Sequence, residues 1–238
     1  MIVGSKVSYD INDLYIPKDV KEDNDYQKSF SATLTIIVRD KEGNVIKRYK
    51  QKSHSPTANF IGLMIPLIWY VNTGNSWTFT NTINNTSSYT PSITGNGSGI
   101  IYPNNGFNMG VNINSISVGS GTQSNPYRAY NLASPIANGN GTGQLTYSSI
   151  NEPTNITING NQAYFIISQS YANQSGGTIN ITEVGIFLNL YLGTTATNSS
   201  TNATRVYTIL VWYDALSSPI SVGSGQSVII YYTFSVNA

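Results

Sequence analysis

The 238-residue chain has no cysteine and a single histidine, His54. Without thiols it has no disulfide framework, no thiolate metal site and no cysteine nucleophile. With one imidazole, a Ser-His-Asp triad would have to use His54 as its base, and a site with several imidazole ligands cannot form within one chain. The setting Lys52-Ser53-His54-Ser55 is that of a polar residue ahead of a helix start. Charge is scarce as well: 10% of the residues are charged, against about a quarter in ordinary globular domains. The longest apolar run, residues 60–71, contains Pro66 and is shorter than the roughly twenty residues a membrane-crossing helix needs. No membrane span is expected. Residues 1–10 alternate apolar and polar and lack the basic patch followed by an apolar run of a secretory signal. The chain as given is expected either to be made in the cytoplasm or to have lost a leader.

What is present is a neutral polar vocabulary. Asn, Ser, Thr, Gly and Tyr abound, the formal net charge is +1 and aromatic residues make up 11%. That aromatic content and low charge are those of a folded chain with an uncharged hydrophilic skin. The few charges are segregated: residues 1–52 hold ten of the twelve basic and eight of the eleven acidic side chains, leaving Arg128, Arg205, Glu152, Glu183 and Asp214 for the rest. Because both signs mix there, that part reads as a solvated face or an inter-subunit salt-bridge strip.

Periodicity sets the fold class. Ala32, Leu34, Ile36 and Val38 alternate with outward positions, residues 40–44 interrupt with a glycine, and residues 45–50 resume, which predicts a hairpin. Ser55-Pro56 supplies a capping hydroxyl and a proline for a first helical turn, and Phe60, Leu63, Met64, Leu67 and Ile68 follow at helical spacing. One short helix is expected over 55–71, ended or kinked at Pro66. Strand patterns recur at 113–118, 163–169, 178–192, 205–213 and 227–236, each bounded by turn residues. Many strands without intervening helices make an all-β, antiparallel sandwich or barrel. Within 178–192 the apolar residues change face near Thr182-Glu183, which predicts a bulge. Both faces of 205–213 are apolar, so that strand needs cover from a second sheet and from a loop or a neighbouring subunit. The domain organisation expected is an N-terminal arm at 1–26 and a single domain at 27–238, with a charged hairpin at 27–52, the helix at 55–71, long surface loops at 72–112 and the main strands at 113–238.

Catalysis finds little support. Paired carboxylates for glycoside hydrolysis would have to come from Glu152, Glu183 and Asp214. Glu183 is expected instead to accept backbone hydrogen bonds or to pair with Arg128 or Arg205, since a lone buried charge is costly. The Ile-Ser-Val-Gly-Ser-Gly hexapeptide occurs at 116–121 and at 220–225. Neither copy has the Lys-Ser/Thr pair or following helix of a phosphate loop, so both read as similar strand-to-turn exits. Lys47, Arg48, Lys50 and Lys52 around Tyr49 could touch nucleic acid, but the near-neutral chain disfavours it. No metal, cofactor or catalytic residue is expected. Asn84, Asn85, Asn96, Asn140, Asn155, Asn173, Asn180, Asn198 and Asn202 satisfy the glycosylation sequon.

Taken in order, Ile116-Ser-Val-Gly-Ser-Gly-Thr122, Tyr127-Arg-Ala-Tyr-Asn-Leu132, Ser134-Pro-Ile136, Glu183-Val-Gly-Ile186 and Ser218-Pro-Ile-Ser-Val222 resemble a pattern in structural proteins of tailed phages and archaeal viruses. The resemblance covers about two thirds of the chain. It implies a jelly-roll-like sandwich that builds a capsid, turret or tail, in the virion, with copies of itself and other virion proteins as partners and no catalytic residues. The Asn, Ile and Tyr bias is similar to that of viral and exported proteins of archaea from hot acidic habitats. The apolar stripe Phe60, Leu63, Met64 and Leu67 and the strand residues Tyr207, Ile209, Val211 and Tyr213 are the expected assembly interface. The competing expectation is a cell-surface appendage or adhesin recognising host-surface glycans through loops 72–112 and 137–161.

Overall fold

The computed structural model describes residues 30–53, 55–61, 77–80, 86–89, 109–153, 155–194 and 203–237. The first alternating stretch forms β1 (Phe30–Arg39), and the charged stretch after it forms β2 (Val45–Ser53). Two local devices close the hairpin between them. Gly43 takes a φ of 89°, which costs glycine nothing, and the Asp40 carboxylate accepts from the Asn44 backbone N–H at 2.7 Å and from its side-chain amide at 3.0 Å.

The remaining strands are β3 (Trp77–Thr80), β4 (Thr86–Tyr89), β5 (Met109–Gly119), β6 (Thr146–Tyr147), β7 (Thr157–Asn159), β8 (Gln162–Ala172), β9 (Ile179–Thr194), β10 (Ala203–Val222) and β11 (Ser227–Asn237). The larger sheet runs β2-β1-β11-β8-β6, with β7 also on β8; the smaller runs β10-β9-β5; β3 and β4 form a separate hairpin. Every pairing of these strands is antiparallel.

Period-two alternation puts Leu34, Ile36, Ile167, Ile230 and Tyr232 of the larger sheet into one core with Ile116, Val118, Ile181, Ile186 and Ile209 of the smaller. The expected antiparallel sandwich is what forms, six strands facing three.

The smaller sheet departs from plain alternation twice. In β9 the inward residues Ile179 and Ile181 are followed by Val184 and Ile186. Thr182 and Glu183 are the extra pair, as the change of face in the sequence requires, and opposite them β10 bulges through residues 216–219 between Ala215 and Ile220. The Ser-Pro-Ile segment thus lies within β10 and not in an exit turn. A second bulge lies between Leu210 and Trp212. It lets Ile209, Val211 and Trp212 all join the main core while Leu210 and Tyr213 point to the other face.

That second bulge also corrects the expected helix start. Tyr213 donates its N–H to the Ser55 carbonyl at 2.9 Å and the Thr57 N–H donates to the Val211 carbonyl at 3.0 Å, with Pro56 bridged to Trp212. Residues 55–57 are therefore extended, capping the edge of β10, whose backbone groups need partners. Helical residues begin only after Thr57, at 58–61; its carbonyl receives the N–H groups of Phe60 and Ile61. The rest of the expected helix, and most of the expected 72–112 loops, lie outside the described residues.

Candidate functional site

The outer face of the smaller sheet holds one constellation. Glu183, fully buried, is the outward residue of the β9 bulge. Its Oε1 accepts the Ser134 N–H at 2.8 Å and the Gly121 N–H at 3.2 Å, while Oε2 accepts the Ala133 N–H and the Tyr213 hydroxyl, both at 3.0 Å. Tyr213 in turn accepts the Gln123 N–H at 2.8 Å. Burial, with Glu183 and Asp214 nearby, pushes its phenol up to about 12. Loop 120–136 is thereby drawn over the sheet, where Ala129 and Leu132 bury against Phe187, Leu210 and Tyr213. The glycines make room: a Cβ on Gly119 would sit 2.3 Å from Glu183 Oε1 and 2.7 Å from the Ser134 carbonyl, and one on Gly185 would meet Leu210 at 2.6 Å. The scattered motifs Val-Gly-Ser-Gly, Ser-Pro-Ile and Glu-Val-Gly are therefore one structural unit. Of the alternatives for Glu183, backbone donors are the partners it has.

Asp214 lies on the inner face. Its Oδ2 accepts the Tyr232 hydroxyl at 2.9 Å and the Ser53 hydroxyl, and Ser53 accepts the indole N–H of Trp212. Glu183 and Asp214 are thus on opposite sides of one sheet. They cannot flank a single glycosidic bond, because both carboxyls would have to open into one substrate cleft within about 10 Å, and the sheet stands between these two. Glu152 is exposed. Among the described residues no three of His, Cys, Asp and Glu stand together as metal ligands would, and no helix is long and apolar enough to cross a membrane. His54 lies outside them.

At the end of the sandwich where β1 begins, the sheets enclose a cleft of about 530 Å³ lined only by apolar residues, among them Phe30, Phe60, Ile113, Phe165, Leu188 and Trp212. Phe234 organises its rings, with Phe165 stacked at 5.1 Å and Trp212 edge-on at 5.2 Å, while Phe60 meets Trp212 edge-on at 5.5 Å. Phe30 is 55% exposed at the rim, and its strand partner Val236 is 47% exposed.

Of the expected assembly residues, Phe60 lines this cleft and Val211 forms part of its floor. Ile209, Val211 and Tyr213 are buried within the chain. This corrects their reading as a surface: the cover sought on both faces comes from the larger sheet and from loop 120–136, so Ile209 and Tyr213 offer a neighbour nothing directly, and Val211 is reached only through the cleft floor. Tyr207 is half-buried. Leu63, Met64 and Leu67 lie outside the described residues. Sequence reading missed the cleft, although Phe30, Phe165 and Phe234 all stand at inward positions near the ends of paired strands.

A second depression of about 310 Å³ lies on the outer face beside the loop, bordered by Asn114, Ser115, Ser117, Asn138, Tyr147 and Thr208. It mixes amides and hydroxyls with the apolar Leu132, Pro135, Ile136 and Phe187 and carries no charge. Asn140, Asn155 and Asn180 are exposed, as a glycan acceptor must be. Asn173 is no acceptor: it is fully buried, and its amide donates to the Gly177 and Val222 carbonyls, both at 2.7 Å. The other five sequons lie outside the described residues.

No family model, curated protein or solved structure matches the chain.

Proposed function

We propose that this chain is a virion structural protein, a subunit that builds the capsid, turret or tail of an archaeal virus by packing against copies of itself and other virion proteins. The observation that carries the reading is the wholly apolar cleft with Phe30 and Val236 bare at its rim. An apolar cleft with a bare aromatic at its rim can seat an apolar side chain of a partner, as the buried centre of an obligate interface does. Its occupant in this reading is an apolar segment of a neighbouring copy. The two buried carboxylates support the same view, because each is engaged in holding elements together. In light scattering and electron microscopy of the purified chain, self-association is expected at micromolar concentration. A folded Phe30→Asp variant should weaken it by about tenfold or more, as loss of an aromatic anchor does. A chain that stays monomeric at high concentration ends this reading.

The uncharged depression around Asn114 and Asn138 favours one second reading, a glycan-binding surface of an appendage or adhesin. Neutral sugars are recognised by such amides and hydroxyls. Binding on a glycan array, lost on Asn138→Ala while assembly is absent, would select it.

A further inference from the structure

Strand β2 is the outer edge of the larger sheet. In its register against β1, Arg48, Lys50 and Lys52 stand opposite Ile37, Thr35 and Thr33. The core residues Leu34, Ile36 and Val38 stand opposite Gln51, Tyr49 and Lys47. The three cations therefore share the outer face, repeating about every 7 Å along an edge whose outer backbone groups pair with no strand among the described residues. All three are exposed. Among the described residues the one ion pair joins Lys41 to Glu42, and Asp40 is engaged by Asn44. Among the described residues this row has no acidic partner within ion-pair distance.

The complementary charge is in its own sequence. Residues 19–25, Asp-Val-Lys-Glu-Asp-Asn-Asp, carry four carboxylates against one lysine. Extended, they would place Asp19, Lys21, Asp23 and Asp25 on one face, with Asp23 and Asp25 at the cation spacing. We propose that the acidic segment 19–25 of one copy adds to the β2 edge of a second copy as an antiparallel strand, Asp25 opposite Lys50 and Asp23 opposite Lys52, with Lys21 beyond the end of the cation row. This rests on the assembly reading and names the contact that would link subunits. Edge lysines repel uncharged and basic strands, so the same row that deters indiscriminate pairing admits an acidic one.

Connectivity decides for a second copy. Asp25 precedes Phe30 by five residues, which span at most about 18 Å. In the antiparallel register that sets Asp25 and Asp23 against two cations, Asp25 faces Lys50, opposite Thr35. That is about 17 Å along the sheet and two strand spacings across, about 19 Å from Phe30 before the chain has turned. In that register the chain's own arm cannot reach.

The test uses full-length charge-reversed chains, each checked for a native circular dichroism spectrum. One carries Arg48→Glu, Lys50→Glu and Lys52→Glu; the other carries Asp19→Lys, Asp23→Lys and Asp25→Lys. Each alone should associate about tenfold more weakly or worse than the natural chain, and their equimolar mixture should restore assembly in alternating order. Unchanged association of either variant overturns the proposal. So does restoration only when all six changes share one chain, which would make the contact intramolecular. If the natural chain does not assemble at all, an acidic peptide of residues 15–28 is titrated onto the arm-reversed chain. Salt-sensitive binding lost in the sixfold-reversed chain upholds the contact while the assembly reading falls; no binding, or preference for a DNA duplex over the peptide, overturns the contact.

Discussion

A carboxylate withdrawn from water needs its hydration replaced group for group, and Glu183 shows the replacement in full: three backbone N–H groups and a phenol, all donors, aimed at two oxygens. Glu183→Gln keeps the shape but turns one acceptor into a donor that faces donors. The expected cost is about 2–3 kcal/mol in urea denaturation, with loop 120–136 becoming the first site of limited proteolysis. Gly119→Ala should act through the same place, because its new Cβ would clash with the Glu183 side chain and the Ser134 carbonyl. A Gly119→Ala variant as stable as the natural chain would show that the loop moves freely. At this scale the sequence was legible where chemistry forced one answer: a lone carboxylate at a bulge had to find donors. Which donors was not legible, because they are main-chain groups of a loop some fifty residues away. No side-chain pattern advertises them. For the same reason Ser55-Pro56 reads as a helix start by local propensity, yet the bulge in β10 takes those residues first.

Element boundaries were the clearer part, since strands with one wet face write their parity into the sequence. The stretches 32–39, 163–169 and 227–236 lie within β1, β8 and β11. The crossings between sheets were less visible. Asn173, in the turn from β8 to β9, accepts the Gly225 N–H through its carbonyl at 2.8 Å and donates its N–H to the Gln226 carbonyl at 2.9 Å. Its side-chain amide reaches the Val222 carbonyl, where β10 leaves for β11. One residue thus ties together two of the points at which the chain changes sheet, from β8 to β9 and from β10 to β11. In sequence it is one Asn among many and reads as a sequon. Asn173→Ala should lose its buried side-chain bonds and leave the Val222 and Gly177 carbonyls unsatisfied, a cost of about 2–4 kcal/mol. Hydrogen exchange should report that loss as faster opening of both crossings together. Faster exchange at only one would mean that they are not coupled.

Across the whole molecule, neutral polar groups do work that ion pairs do elsewhere, and tyrosines are prominent among them. Tyr171 donates to the Ile116 carbonyl and Tyr232 to Asp214, so two phenols bridge the sheets from inside. Burial holds both well above the usual phenol range, with neighbouring charge adding to the effect, and it pushes Tyr147 up to about 12. An unfolded tyrosine titrates near pH 10. Between about pH 10 and 12 the folded chain therefore retains protons that the unfolded chain has released. Stability that is fully present below pH 10 must then fall as pH rises, by about 1.4 kcal/mol per pH unit for each such phenol. Ultraviolet titration should show a late class of tyrosines, containing Tyr171 and Tyr232, that ionises only with unfolding. Tyr171→Phe should lower stability at pH 8 by about 1 kcal/mol for the lost hydrogen bond, yet make the alkaline decline shallower by one proton. If the decline above pH 10 is as steep in that variant as in the natural chain, Tyr171 is not among the groups that limit the fold at high pH.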